Sequence, residues 1–260
     1  MKRFCKDVKK FYHYAIFQAK TDLKTEVASS YLNWIWWILD PLFYMLIYSF
    51  VSVVVFQTSE QYFTVFVFIG LSVWEFFNRM IIQSVKIVSN NKAIVTKVYV
   101  PKYILIWSRI FVNGFKMMIS FLLVFGMMCF YQISVTPKFF LVIPIILNMI
   151  LVTFGFCTIL AHFGVFVEDL SHVMEIILRF LFYFTGIFYA IENRIPKPYS
   201  YFMLRLNPIA YHIYALRNAL LYENYISWRW IVLWAGVGLL CSMIGIRIIY
   251  RYENTYVKTI

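Results

Sequence analysis

Acid–base and metal chemistry in proteins falls mostly to histidine, cysteine and the carboxylates, and this sequence spaces them for neither. Its four histidines, His13, His162, His172 and His212, form no H-E-x-x-H or H-x-x-x-x-D pair. The acids nearest His172, Glu168 and Asp169, read as a charged turn. Cys5, Cys129, Cys157 and Cys241 have no C-x-x-C spacing, and the last three lie within apolar runs, so they read as small hydrophobes. No metal site is expected, and neither a membrane acyltransferase nor a metal-dependent hydrolase finds its motif. The chain also has no G-x-x-x-x-G-K-[ST], so it has no phosphate cradle of its own. What remains is charge in unusual places. Glu75 and Arg79 sit four residues apart inside an apolar run, and Glu175 and Arg179 repeat the spacing. A lone charge at the centre of a membrane helix costs about 2.5–3.5 kcal/mol, so the first two are expected to pair. They would be a polar contact in a transport path or dimer seam, or a structural ion pair. The second two lie nearer an interface, as a structural pair or part of a gate.

The elements that hold these residues are hydrophobic. Of 260 residues, 62% are hydrophobic, 21% aromatic and only 14% charged, with a mean hydropathy of +0.73. A soluble core could not bury so much apolar surface, whereas about 20 apolar residues cross a bilayer. The fold class is therefore all-α and polytopic, with six transmembrane helices at Ile35–Phe56, Phe63–Val85, Tyr103–Phe130, Phe139–Val167, Met174–Ala190 and Trp230–Tyr250. The segment 191–228 is too polar to span and too apolar for a plain loop. Breaks at Pro196, Pro198 and Pro208 make it a pair of re-entrant or interfacial helices. Before the first span, residues 1–33 form a cytoplasmic amphipathic helix. Val8, Phe11, Tyr12, Ala15, Ala19, Leu23 and Val27 share one face, and Lys9, Lys10, His13, Lys20 and Lys24 lie away from it. Its basic polar face suits the membrane surface. Residues 34–260 are the transmembrane domain. The first apolar run begins near Trp34 and lacks a small-x-small site, so no cleavable signal is expected, nor a lipid anchor.

The net charge of +12 flanks the spans and marks a side of the membrane, not a nucleic-acid partner. With both termini in the cytoplasm, inner segments hold fourteen Lys and Arg and outer segments six, which satisfies the positive-inside rule. One inner loop stands out. Residues 86–102 carry four lysines and no acid, with Ile94, Val95, Val98 and Tyr99 beside them and Pro101 as a helix stop. Such a segment either lies on anionic lipid, at about 1 kcal/mol per Lys, or docks a protein through its apolar patch.

The run FIGLSVWEFFNRMIIQSVKIVSNNKAIVTKVYVP resembles the G-x-x-x-W-x-F-F…N-x-x-L-I-x-K-V-x-x-P stretch of type-2 ABC exporter permeases, in the branch exporting O-antigen, capsular or teichoic-acid polysaccharides. Gly70, Trp74, Phe76, Phe77, Asn91, Ile94, Lys97, Val98 and Pro101 match it. Upstream, Leu23, Lys24, Ser30, Leu32, Trp36 and Pro41 are similar to the family's opening, and Asn207, Pro208 and Arg217 to its close. Glu26-Val27, Asn33 and Glu168-Asp169 depart from the pattern. The resemblance implies a permease without catalytic residues, working as a homodimer with two copies of a separate ATPase that binds ATP and Mg. The cargo would be lipid-linked polysaccharide, and the home a bacterial inner membrane. It implies that Asn91, Lys92, Ile94, Val95, Lys97, Tyr99 and Pro101 form the coupling surface for that ATPase. It also implies a conduit lined by aromatics of spans one and five, here Trp34, Trp36, Trp37, Tyr44, Tyr48, Tyr183, Phe184 and Tyr189, although lipid or packing would use such rings equally well. A type-2 exporter of drugs or lipids is the alternative.

Overall fold

Apolar length decides the architecture. The computed structural model describes residues 2–28, 31–51, 54, 60–222 and 224–259. Four helices there are long and apolar enough to cross a membrane: α3 (Phe63–Val85), α6 (Lys102–Phe130), α7 (Val142–Phe166, extended by a 3-10 turn from Pro137) and α12 (Trp228–Thr259). Helix α3 is the hub, with 78% of its apolar window buried against α2 (Trp36–Phe50), α6, α7, α8 (Leu170–Phe184) and α11 (Pro208–Arg217). Helices α7 and α12 pack backbone to backbone through small residues. A Cβ on Gly155 would stand 2.7 Å from the Gly238 carbonyl oxygen and 2.9 Å from Cys241 Cβ, so only glycine admits this approach.

One expected span is shorter than its apolar run. Helix α8 has 15 residues, roughly 22 Å at 1.5 Å per residue against a hydrocarbon core of about 30 Å. Helix α8 starts before Met174 and stops at Phe184 instead of Ala190. The chain turns there because Gly186 adopts φ +68°, and the Arg217 guanidinium takes the freed carbonyls of Gly186 and Ile187 at 2.8 Å each. Helix α2 runs through Pro41 without a break. The expected end of span one, at 52, 53, 55 and 56, and the matched Ser30 lie outside the described residues.

Between α8 and α12 the chain makes three short helices: α9 (Ile191–Arg194), α10 (Tyr199–Leu206) and α11. Pro196 and Pro198 separate the first two. Pro208 opens the third, with Asn207 Oδ1 accepting from the amides of Ile209 (3.0 Å) and Ala210 (3.3 Å) as its N-cap.

Helix α1 (Lys2–Ala28) puts its apolar face on its own chain. Ala15 and Ala19 are buried and Val8 and Phe11 half-buried against α6 and its surroundings, while Tyr12, placed on that face by periodicity, is 48% exposed. Charge fixes the register, with Asp22 meeting Arg109 at 3.1 Å and Glu26 meeting Lys116 at 2.5 Å. The lysine-bearing loop, 86–102, holds two single turns and no longer helix before Pro101: α4 (Ile87–Asn90) and α5 (Lys92–Val95). Asn91 breaks them apart, its Nδ2 donating to the Ile87 carbonyl at 2.7 Å.

Candidate functional site

The lysine-bearing loop turns Lys86, Lys92 and Lys97 outward and buries Lys102 at its end. Lys92 and Lys97 are exposed, Ile94 is half-buried, and Asn91, Val95 and Pro101 are buried. Val98 and Tyr99 remain about half exposed, beside the lysines. The Tyr99 hydroxyl does not point outward. It accepts from Arg3 Nη2 at 2.7 Å and donates to Glu253 Oε2 at 3.0 Å, and Arg3 Nη2 bonds Glu253 Oε1 at 3.0 Å. A second knot lies behind it: Tyr250 donates to Asp7 at 2.7 Å and meets the Tyr103 hydroxyl at 2.7 Å, with Arg3 over the Tyr250 ring at 4.4 Å. The loop is thus tied to both the first and the last helix. The hydrogen bonds that Arg3 donates to Glu253 and then to Tyr99 raise its guanidinium above its ordinary pKa. Burial raises the Tyr99 phenol, opposed by its bond to Arg3 and aided by Glu253. Both groups therefore keep their protons, which suits a permanent tie.

Deeper in the bundle, α2, α3, α6 and the end of α1 enclose a cavity of about 230 Å³. Trp36, Trp37 and Tyr44 wall it on one side, and Glu26, Asp40, Glu75, Arg79 and Lys116 bring three carboxylates and two cations. Arg79 Nε donates to Glu75 Oε2 at 3.0 Å, and both side chains stay over a third exposed, so the pair is not sealed. Asn113, which lines the cavity, is 1% exposed and donates to Gln83 at 2.9 Å, while its buried Oδ1 has no hydrogen-bond partner among the described residues. The cavity therefore joins two groups of residues that the sequence kept separate, the span-one aromatics and the span-two charges. A polar chamber with indole and phenol walls and a carboxylate excess can hold water or hydroxyl-bearing ligands.

The remaining aromatics divide. Tyr44 stacks on Tyr48 at 6.5 Å, and Tyr48 meets Phe188 at 4.7 Å and Phe182 at 6.3 Å, with Trp74 5.4 Å beyond Phe182. These rings bridge α2 to α3 and α8. Tyr183 and Phe184 face outward, the latter stacked on Phe180 at 4.5 Å, and Tyr189 donates its hydroxyl to the Tyr183 carbonyl at 2.7 Å. Trp34 is 57% exposed and takes no part in the cluster. Glu175 and Arg179 line a shallow cavity of about 510 Å³ with Asn78 and Tyr183, and no ion pair joins them among the described residues. Phe182, Phe188 and Trp74 were not picked out as site residues from the sequence, nor were Arg3, Glu253, Arg109 and Lys116. One signal was available: acids four apart at 22 and 26 match bases seven apart at 109 and 116, each pair on one helical face. Among the described residues no cluster of three or more His, Cys, Asp or Glu could hold a metal ion.

Comparison with known proteins agrees in extent. The O-antigen export system permease protein RfbA of Klebsiella pneumoniae is 26% identical over 246 residues, covering 91% of each chain. Its namesake in Myxococcus xanthus is 27% identical over 222 residues, covering 84% of each. The family of ABC-2 type transporters matches residues 18–221, a stretch running from α1 through the aromatic-walled cavity and the lysine loop to the turn after α11, and the chain belongs to that family.

Proposed function

We propose that the chain is the membrane permease subunit of an ATP-driven exporter that moves lipid-linked polysaccharide, such as O-antigen, capsule or teichoic acid, from the cytoplasm outward. The observation that carries this reading is the similarity to O-antigen export permeases across 91% of both chains, which includes the loop, the cavity and the short-helix segment alike. Six helices cross the bacterial inner membrane: α2, α3, α6, α7, α8 and α12. Helix α1 lies at the cytoplasmic interface with both termini inside, and α9 to α11 form the outer re-entrant segment. Two permeases and two ATPase subunits assemble, and the conduit follows the two-fold axis. The ATPase binds ATP and Mg and grips Asn91, Lys92, Ile94, Val95, Lys97, Tyr99 and Pro101, and its closure rotates the helices as rigid bodies. The conduit aromatics are Trp34, Trp36, Trp37, Tyr44, Tyr48, Tyr183, Phe184 and Tyr189, with Glu75–Arg79 and Glu175–Arg179 near the path.

Deleting the gene tests this. Surface polysaccharide is expected to disappear, undecorated lipid carrier and intracellular polymer to accumulate, and the purified chain to bring down a P-loop subunit. A strain that keeps its surface polymer refutes the reading. An apolar cavity of about 590 Å³ between α3, α7, α8 and α10 is the one feature favouring a drug or lipid exporter of the same family. Loss of drug or lipid efflux with intact polymer would be that outcome.

A further inference from the structure

A second polar cavity, of about 160 Å³, lies between the start of α3, the turn after α8 and the α11 end. Its back wall is Arg217, which is 5% exposed and stacked 3.3 Å above the Phe66 ring. Nε donates to the Phe66 carbonyl at 3.1 Å, Nη1 to Gly186 and Nη2 to Ile187 at 2.8 Å each, so the fork is committed to backbone. Beside it, Asn218 is 2% exposed, and among the described residues neither its Nδ2 nor the buried Tyr222 hydroxyl has a hydrogen-bond partner. Both line the cavity, together with the Tyr214 ring and two carboxylates, Glu60 and Glu192. Glu60 accepts a long contact, 3.5 Å from Asn193 Nδ2. Buried donors without acceptors are costly, and the site holds two of them in a cavity whose lining also includes two carboxylates.

We infer that this cavity is a saccharide subsite at the outer end of the permease, and that it selects a neutral or amino sugar over an acidic one. Sugar hydroxyls accept from Asn218 and Tyr222 and donate to Glu60 and Glu192 at once, while the tyrosine faces receive the ring's C–H edges. A metal cation would satisfy the carboxylates and leave the Asn218 amide donor facing positive charge. An anion would meet two carboxylates, with Arg217 already bound to three carbonyls. The volume equals about five waters, enough for one pyranose ring. The cavity beside Glu75 points the same way, with three carboxylates against two cations. A polymer of uronic acids or phosphodiesters would be repelled at both places, which narrows the cargo to polysaccharides of uncharged or amino-sugar repeats. The inference rests on the export reading and on its outward orientation of 191–228.

The test is saturation-transfer NMR on the chain in lipid nanodiscs, with galactose, mannose, N-acetylglucosamine and glucuronate as separate probes. At least one neutral sugar is expected to show transfer and glucuronate none. The signal should fall at least fivefold in both Asn218→Leu and Tyr222→Phe, the second removing a single oxygen from a ring that stays in place. Absence of transfer from all three neutral sugars overturns the subsite, as does a signal that survives both substitutions. Glucuronate binding equal to the neutral sugars overturns the charge selection. A wild-type chain that exports polymer yet binds no sugar here sinks the subsite alone, and one that binds sugar here while its deletion strain keeps surface polymer sinks the export reading alone.

Discussion

Replacing Arg217 with lysine keeps the charge and most of the volume but removes the planar fork. In the wild type that fork serves three carbonyls from two places, Phe66 in α3 and Gly186 and Ile187 in the turn after α8, while resting on the Phe66 ring. A lysine ammonium is a point donor on a single stem and reaches one of the three. Two buried carbonyls then lose their partner, at about 1–3 kcal/mol each, and the stacking contact weakens by up to roughly 1 kcal/mol. Membrane interiors return less than these figures, since the unfolded chain finds partners there too, so the net loss is about 2–4 kcal/mol. The assay is the apparent melting temperature of the purified chain in one detergent, where this loss amounts to a fall of roughly 5–10 °C. Arg229→Lys, at an exposed arginine at the start of α12, serves as the reference and should leave the melting temperature unchanged. An Arg217→Lys chain that melts within roughly 1 °C of wild type refutes the account, because the carbonyls would then have other partners.

Replacing Lys92, Lys97 and Tyr99 together should uncouple export from ATPase stimulation, and unchanged surface polymer would reject the loop as the docking surface. A cysteine at the exposed Thr96 should react with impermeant reagents only after the cells are opened, so labelling of intact cells would invert the proposed orientation. Gly155→Ala pushes a methyl against the Gly238 carbonyl and Cys241, and should destabilise by about 1–3 kcal/mol in a thermal melt. Gly126→Ala meets nothing within 4 Å and, lying in α6, should be neutral or stabilise by up to about 1 kcal/mol. Lys116→Glu places like charges opposite Glu26 and should lower folded yield, whereas Glu26→Lys combined with it should restore the yield. Because Glu26 is 46% exposed, the direct pair is worth no more than about 1 kcal/mol, so the rescue, more than the size of the loss, is diagnostic.

Helices whose apolar length exceeds the bilayer were legible in the sequence, because hydropathy needs no partner to be read. Helices α3, α6, α7 and α12 fall within a few residues of their expected bounds except where α12 runs on past Tyr250 as a polar extension. The ends of α8 were not legible, because its apolar run continues to Ala190 while its hydrogen bonding stops at Gly186, where an arginine 31 residues away supplies the donor. Periodicity found the apolar face of α1 but assigned it to lipid, since the receiving surface, α6, lies some ninety residues further on. Tyr99 was chosen by its apolar neighbours, and its hydroxyl is bound by residues 96 and 154 positions away. Local pattern thus identified which residues are exceptional, and long-range pairing decided what each one touches.

The same pairings give the proposed docking loop a route into the bundle. Tyr99 is bonded to Arg3 of α1, so an ATPase that displaces the loop either breaks that contact or carries the start of α1 with it. Arg3, Asp7, Tyr103 and Tyr250 interlock α1 with α6 and α12, which favours the second outcome for small displacements. Further along α1, Asp22 and Glu26 hold Arg109 and Lys116, and Glu26 and Lys116 themselves line the cavity that contains Asp40, Glu75 and Arg79. A shift of α1 along α6 therefore exchanges charge partners at the cavity wall. Within that chamber Glu26 has Arg79 as a second base, and Lys116 has Asp40 and Glu75 as further acids. Such exchange lets charged side chains change neighbours without being stranded in a low-dielectric interior, where an unpaired charge is most expensive. On the proposed reading, several charges of both signs at the wall of one half-open cavity permit a helix shift that a single sealed pair would resist.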